Sequence, residues 1–504
     1  MAGHSWGMAL ISLWQDRHPR TPTTDGEVGG RWDAVVVGGG LTGLTTALLL
    51  GRAGKSVLLL EADHIGAGTT GRSTAKLSLL QGTQLSTITR KHSAAVATTY
   101  VEANREAQAW VEVFCGDHDV PLQHRTAYTY AQGERGAARA RAELGAARAA
   151  GLPAEWVDEV PLPFSTHGAV RLDDQLQIDP IELLDALSLQ AAAHGVSIIE
   201  RARVRQVSGK APVLVETDRG QAEADCVVVA TNIPFLDRGG WFARMSPGRS
   251  YGLAFRTDDR PVDGMYLSAD SPKRSLRDAP SREGHLLLVG GNGHTTGRVA
   301  SPQGKLDDLR RWTAEHWPDA VETHAWSAQD YLPHHSLPYA GPVLPGATEI
   351  FVAGGFSKWG MTNGVAAALA LSGQILGGHQ EWAEVMQTWT PHELRGLPRG
   401  AVANVEVGLE LTAGWLRPLT NPGMGAAPGE GDAEVRFDRL GHAPTASSRV
   451  GGIERRVSAV CTHLGGIVSW NDAEHSWDCP LHGSRFAPDG AALEGPATCG
   501  LKPH

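Results

Sequence analysis

The chain has 504 residues, 41% of them hydrophobic and 20% charged, which suits a soluble globular protein of two or three domains. A formal net charge of −10 argues against a nucleic-acid partner, which needs a basic surface. No apolar run is long enough for a membrane span, and five cysteines are too few for a disulfide scaffold, so a cytoplasmic setting is expected.

Residues 1–30 read as an N-terminal extension. Met1 to Trp14 lacks the basic lead-in and the small-residue cleavage site of a signal peptide. Asp33 to Val37 is a short apolar run closed by glycines, Leu41 to Gly51 follows with helical spacing, and Ser56 to Leu60 is a second buried-strand pattern ending at Glu61. This is a β-α-β unit with the dinucleotide fingerprint. Gly38 makes the tight turn, Gly40 lets the backbone approach a pyrophosphate, Gly43 lets helix and strand pack closely, and Glu61 accepts from ribose hydroxyls. The unit alone does not separate FAD from NAD.

From His92 to Gly151 the chain is rich in Ala, Arg and Glu and reads as helices. Asp179-Pro180 opens another helix to about His194, and residues 196–229 alternate as short strands. Further strands are expected in 241–300, including Leu286 to Val289, then a helix over Gln303 to His316. Ile350 to Val352 is a buried strand and Asn363 to Leu376 a helix. Residues 391–430, with several Pro and Gly, read as a linker or extended wrap. Beyond them, short strands and turns suggest a small all-β module.

That module carries Cys461-Thr-His463 and, after fifteen intervening residues, Cys479-Pro-Leu-His482-Gly-Ser. Two thiolates on one iron and two neutral imidazoles on the other are what a Rieske [2Fe–2S] cluster needs. Zinc is the physical rival for two Cys and two His, but Cys-x-His with Cys-x-x-His is not a finger spacing. A cluster handles one electron at a time, so the dinucleotide unit becomes a candidate seat for a two-electron flavin.

Three further segments bear on that choice: Gly66-Ala-Gly-Thr-Thr-Gly71-Arg72-Ser73-Thr74, Val227-Val-Val-Ala-Thr231-Asn232, and Phe351-Val-Ala-Gly-Gly355-Phe-Ser-Lys358-Trp-Gly360-Met361-Thr362. Together they resemble the FAD motifs of the D-amino-acid-oxidase superfamily. The whole chain is similar to a bacterial group in which such a domain is fused to a C-terminal Rieske domain. The resemblance implies an α/β (α+β) fold. A two-lobed, FAD-binding Rossmann-type domain with a β-sheet substrate domain spans 31–390, with FAD-binding segments at about 31–90, 180–235 and 335–390. A linker follows over 391–430, and an all-β Rieske domain over 431–504. It places Arg72, Ser73 and Thr74 near the pyrophosphate and flavin. Thr231 and Gly355 fall within its cofactor motifs. Gly360, Met361 and Thr362 form a helix start facing the pyrimidine end of the ring, where a helix N-terminus stabilises negative charge.

Departures from that pattern bear on mechanism. His334-His335 stands where the group has Asp, and Gln81 where relatives carry a Gln-His pair, both in regions expected near flavin or substrate. No cysteine lies in 332–346, so a non-covalent FAD is expected. The resemblance also places a clamping cysteine pair at positions occupied here by Gly466 and Leu481, and a tyrosine hydroxyl where Phe486 stands. Fewer hydrogen bonds to the cluster should give it a potential below the respiratory type.

His294 and Lys358 are the candidate catalytic residues, each weighed against a purely structural role. Arg274 and Arg277, in Lys-Arg-Ser-Leu-Arg, are candidates to hold a substrate carboxylate, with a solvated basic patch the commoner reading of such a run. The expected function is an FAD-dependent dehydrogenase acting on a C–N bond of a small amine or amino-acid-like substrate. Its electrons would pass through the cluster to an electron-transfer protein or other external redox partner. The same wiring run backwards as a reductase fed by a ferredoxin, or an electron-transfer or redox-sensing protein without turnover, are the alternatives.

Overall fold

The structure is a computed structural model and describes residues 10–19, 26–236, 238–258, 261–281, 284–420, 428–437 and 443–504. The apolar run of the fingerprint forms the strand Arg31–Val37 at the centre of an eight-stranded sheet. It pairs in parallel with Val57–Leu60 on one side and Gly220–Val229 on the other. Ile350–Gly354 and Ser197–Ile199 extend the parallel set. Strands buried on both faces read as continuous Val/Leu runs. The helix Leu41–Arg52 is buried almost all round and packs against Gly360–Ile375. Leu44, Leu48 and Leu50 are fully buried, each stabilising the layer by about 1.5–3 kcal/mol.

A nine-stranded sheet makes the second lobe, running from Val321–Pro333 through Met245–Arg256 and Gly284–Thr295 to Lys76–Leu77. One of its strands, Leu122–Tyr130, lies inside the stretch that reads as helical, between the helices Ala94–Asp117 and Glu134–Ala149. Its Thr-Ala-Tyr-Thr-Tyr alternation favours a strand, and pairing with Ala169–Ile178 and Met265–Ser268 fixes it. The described part of the N-terminal extension is no loose tail. Ser12 Oγ donates to Gly71 O (2.5 Å), Trp14 Nε1 to Ser73 O (2.7 Å) and Gln15 Nε2 to Gly66 O (3.1 Å), so it pins the 66–73 loop.

The 391–430 segment also departs from expectation. Most of it is a helix, Glu393–Thr420, and residues 421–427 lie outside the described residues. The glycines that suggest a linker are packing glycines. A Cβ at Gly396 would stand 3.0 Å from His335 N, one at Gly400 2.9 Å from His334 Nδ1, and one at Gly414 3.2 Å from Ile467 Cβ. Their absence of side chain lets the helix lie flush across both the flavin lobe and the C-terminal module. Beyond it, Ala433–Arg436, Thr445–Val450 and Ile453–Ser458 form one antiparallel sheet. Ser469–Asn471, Ser476–Asp478, Arg485–Phe486 and Ala492–Glu494 form another, giving the all-β module.

Candidate active site and cluster site

The fingerprint glycines act sterically. Gly38 has φ +111°, and a Cβ on Gly43 would lie 1.9 Å from Gly38 O. The Glu61 carboxylate accepts from the backbone N–H of Gly39 (2.6 Å) and Asp63 (2.9 Å), while burial pushes its pKa up. Gly38, Gly40, Glu61, Ser73, Thr231, Lys358, Gly360 and Met361 line one cavity. Thus fingerprint turn, Glu61 carboxylate and Gly360 helix start converge on one cavity, a lining that fits a dinucleotide flavin. A side chain at Gly40 would point toward Thr70 Oγ1, 3.3 Å away, and narrow the cradle.

Other expected cofactor residues stand outside this cavity. Gly43 is internal packing. Gly355 has φ +69°, with Pro333 Cγ only 2.5 Å from a would-be Cβ. Thr362 is buried and accepts from Gln81 Nε2 (3.1 Å). Arg72 and Thr74 line a second, wider cavity of about 1260 Å³, which shares Thr69, Ser73, Asp330, Lys358 and Met361 with the first.

His294 and Lys358 both line the wide cavity. The neighbours of His294 assign its tautomer, Nδ1–H donating to Thr295 O (3.0 Å) and Nε2 accepting from Tyr251 OH (3.0 Å). Burial lowers its pKa, keeping the ring neutral. Lys358 sits at φ +72°, its N–H bonded to the Asp330 carboxylate. Enclosure by protein lowers its ammonium to about 8 against the pull of Asp330. Lys76 is a further candidate that sequence reasoning did not single out. Its Nζ donates to Tyr266 O (3.1 Å) and Ser275 Oγ (2.5 Å), and burial, with Arg277 adding, lowers it to about 7. Only its position in the Thr-Ala-Lys strand start hinted at it.

The two arginines proposed for a carboxylate are structural. Arg277 donates to Thr74 O (2.7 Å) and Ala75 O (3.0 Å). Arg274 donates to Asn292 Oδ1 (2.6 Å) and Asp308 Oδ2 (2.9 Å). His334 and His335 line neither cavity. They sit under the start of the long helix, with His335 Nε2 3.3 Å from Glu393 Oε1. Gln81 does face the wide cavity, and Tyr100 OH donates to its Oε1 (2.6 Å).

In the C-terminal module the four expected ligands converge. Cys461 and Cys479 are buried and their thiols hydrogen-bond each other, which pulls the Cys461 thiol down and pushes the Cys479 thiol up. The rings of His463 and His482 lie 5.2 Å apart. Burial, with His463 nearby, lowers His482 to about 3, and its Nδ1 is buried without a hydrogen-bond partner. A neutral imidazole with an orphaned nitrogen beside two thiols fits a Cys₂His₂ iron–sulfur site. Leu481 fills the space over Gly466, its Cγ 2.6 Å from a would-be Cβ. Ser484 hydrogen-bonds the Cys461 sulfur, while Phe486 is fully buried and offers no hydroxyl.

The module is docked on the flavin lobe. Phe242 packs edge-on against both His463 and His482 (5.3 and 5.0 Å). Arg249, fully buried, reaches Glu474 (3.1 Å), which also pairs with Arg485 (3.0 Å). Gln329 Nε2 donates to Gly483 O (2.8 Å) and Arg298 Nε to Pro480 O (2.8 Å).

Residues 33–373 match the model of the DAO family, FAD dependent oxidoreductase, and residues 433–503 match the Rieske [2Fe-2S] domain. The chain belongs to the DAO family of FAD-dependent oxidoreductases. Its cofactors are FAD and a Rieske-type [2Fe–2S] cluster. It is 31% identical over 474 residues to YhfW of Bacillus subtilis (strain 168), named as a Rieske 2Fe-2S iron-sulfur protein, across 93% of this chain and 92% of YhfW. Among solved structures it resembles L-amino acid deaminase from Proteus vulgaris (TM-score 0.60, 12% identity, 73% of this chain and 99% of that one). It also resembles glycine oxidase from Geobacillus kaustophilus (TM-score 0.58, 19% identity, 70% and 96%). At these identities the likeness shows the fold alone. Among the described residues no helix is long and apolar enough to cross a membrane.

Proposed function

We propose that this oxidoreductase is a dehydrogenase that oxidises a C–N bond of a small, carboxylate-bearing amine, with electrons passing singly through the cluster to an external acceptor. The observation that carries this reading is the wide cavity beside the flavin cavity. Its lining includes Arg72, Lys273, Lys305, Arg311, Lys358 and Arg399 against few acids. A cavity rich in cations concentrates and orients a carboxylate. Bound FAD supplies hydride acceptance there, and the cluster supplies a one-electron relay.

The protein's own part is orientation and local charge. Lys358 opens on both cavities and carries positive charge below about pH 8, where negative charge would develop. Lys76, near neutrality at about 7, is poised to exchange a proton with a substrate ammonium. Tyr251, held by neutral His294, presents a phenol to the same space. The names of the structural neighbours, glycine oxidase and L-amino acid deaminase, support an amino-acid-like substrate. A fused cluster favours a dehydrogenase over an oxidase, since oxygen needs no relay.

The test is anaerobic mixing with a panel of amines, amino acids and N-alkyl amino acids. Bleaching of the flavin absorbance followed by the EPR signal of reduced [2Fe–2S] is expected with a carboxylate-bearing member. Bleaching by a protein reductant, with every small molecule inert, would establish the reverse direction or a carrier.

A further inference from the structure

We infer that the C-terminal module supplies one wall of the flavin seat, so that FAD and the iron–sulfur cluster bind cooperatively. This rests on the reading that FAD occupies the fingerprint cavity. Leu493, Glu494, Gly495, Ala497 and Thr498, all from the module, line that cavity together with Gly40 and Glu61. They are among the last residues of the chain, more than four hundred positions from the fingerprint.

The wall is tied on both sides. From the flavin lobe, Arg203 Nη2 donates to Ala492 O (3.1 Å) and Leu493 O (3.4 Å). Buried Tyr331, itself lining the cavity, places its hydroxyl 3.1 Å from Gly495 O and 3.3 Å from His482 O. One phenol thus touches both the wall and the backbone of a cluster ligand. From the module, Ser484 Oγ accepts from Ala497 N (3.0 Å) and hydrogen-bonds the Cys461 sulfur. A charge network stands behind, with Arg249 and Arg485 buried and Glu494 and Arg72 half-buried. Glu494 faces Arg485 (3.3 Å), Arg249 (3.6 Å) and Arg72 (4.0 Å).

The wall segment therefore has one face on the dinucleotide cavity and its backbone on the cluster loops. Loading the cluster orders Cys461, His482 and Ser484, and with them the wall. Filling the cavity presses the same segment from the other side. Two ligands that order one shared segment bind cooperatively, and the coupling is reciprocal.

The experiment is an FAD titration of full-length protein, followed by quenching of flavin fluorescence, in cluster-loaded and cluster-free forms. FAD affinity should fall about fivefold or more without the cluster. Reciprocally, FAD-free protein should lose iron to a chelator faster than the holoprotein. The double variant Leu493→Ala/Thr498→Ala, which trims the wall but leaves the ligands, should keep the EPR signal and bind FAD more weakly. Unchanged affinity in that variant overturns the inference, whatever cluster removal does, because the latter can act by unfolding the module. Gly40→Val is the control for the seat itself. If it binds FAD normally, the cavity assignment fails. If it does not, while the wall variant does, only the cooperative wall is lost.

Discussion

The two cofactor sites are built in opposite ways. The candidate cluster ligands come from two loops of one small module, Cys461 to His463 and Cys479 to His482, all within twenty-two residues. The flavin cavity draws on the first strand, the 66–73 loop, Thr231, Asp330, the Gly360 helix start and the last strand of the C-terminal module. A local site fails or survives with single ligands, because each donor is indispensable. A dispersed site is held by packing and ion pairs between distant segments, so it can be weakened by degrees from places that touch no cofactor.

The sharpest way to break this contrast is Cys479→Ser. It should abolish the EPR signal of the cluster entirely, while bound flavin, held less tightly, still bleaches with substrate. A Cys479→Ser protein that kept a full Rieske spectrum would refute the ligand assignment. Next is Arg249→Met, which removes a fully buried cation facing Glu474 across the domain boundary. Leaving that carboxylate short of a partner costs about 3–5 kcal/mol, measurable by denaturant unfolding.

The same pair gives a pH dependence. Burial alone would raise Glu474, but Arg249 and Arg485 overrule it and bring the carboxyl down to about 2. The stability it contributes is present above the ordinary carboxylate range, near 4.5, and is lost as pH falls toward 2. Arg249→Met should flatten that slope. Gly43→Ala should cost about 3 kcal/mol and much of the FAD, since its Cβ meets Gly38 O. The smallest effect belongs to Lys358→Met. Reduction by substrate should slow about tenfold, and any fall in rate as pH rises through about 8 should vanish.

What was legible in the sequence follows this division. The two Cys-and-His pairs are legible because spacing encodes a local site, and the structure brings Cys461 beside Cys479 and His463 beside His482. The fingerprint strand, helix and Glu61 were equally legible, as were the helices beginning at Pro180 and Pro302. The wall at Leu493–Thr498 was not, since no local pattern announces a contact between chain ends. Arg274 and Arg277 misled for a similar reason. A Lys-Arg-Ser-Leu-Arg run looks solvated, yet strand pairing turns both guanidiniums inward onto carbonyls and amides. In 391–430, Gly and Pro signalled a linker, but Gly396, Gly400 and Gly414 are spaced to face one surface. Glycine marks flexibility or close approach alike, and only the neighbour decides which.

The contact of Leu481 over Gly466 has a practical consequence. All five cysteines are unlinked, so dithiothreitol finds no crosslink to sever beside the iron. The two loops meet through the fit of Leu481 over Gly466 and the hydrogen bonds at the Cys461 sulfur. Trimming one leucine to alanine should therefore loosen the iron where a strong reductant leaves it in place.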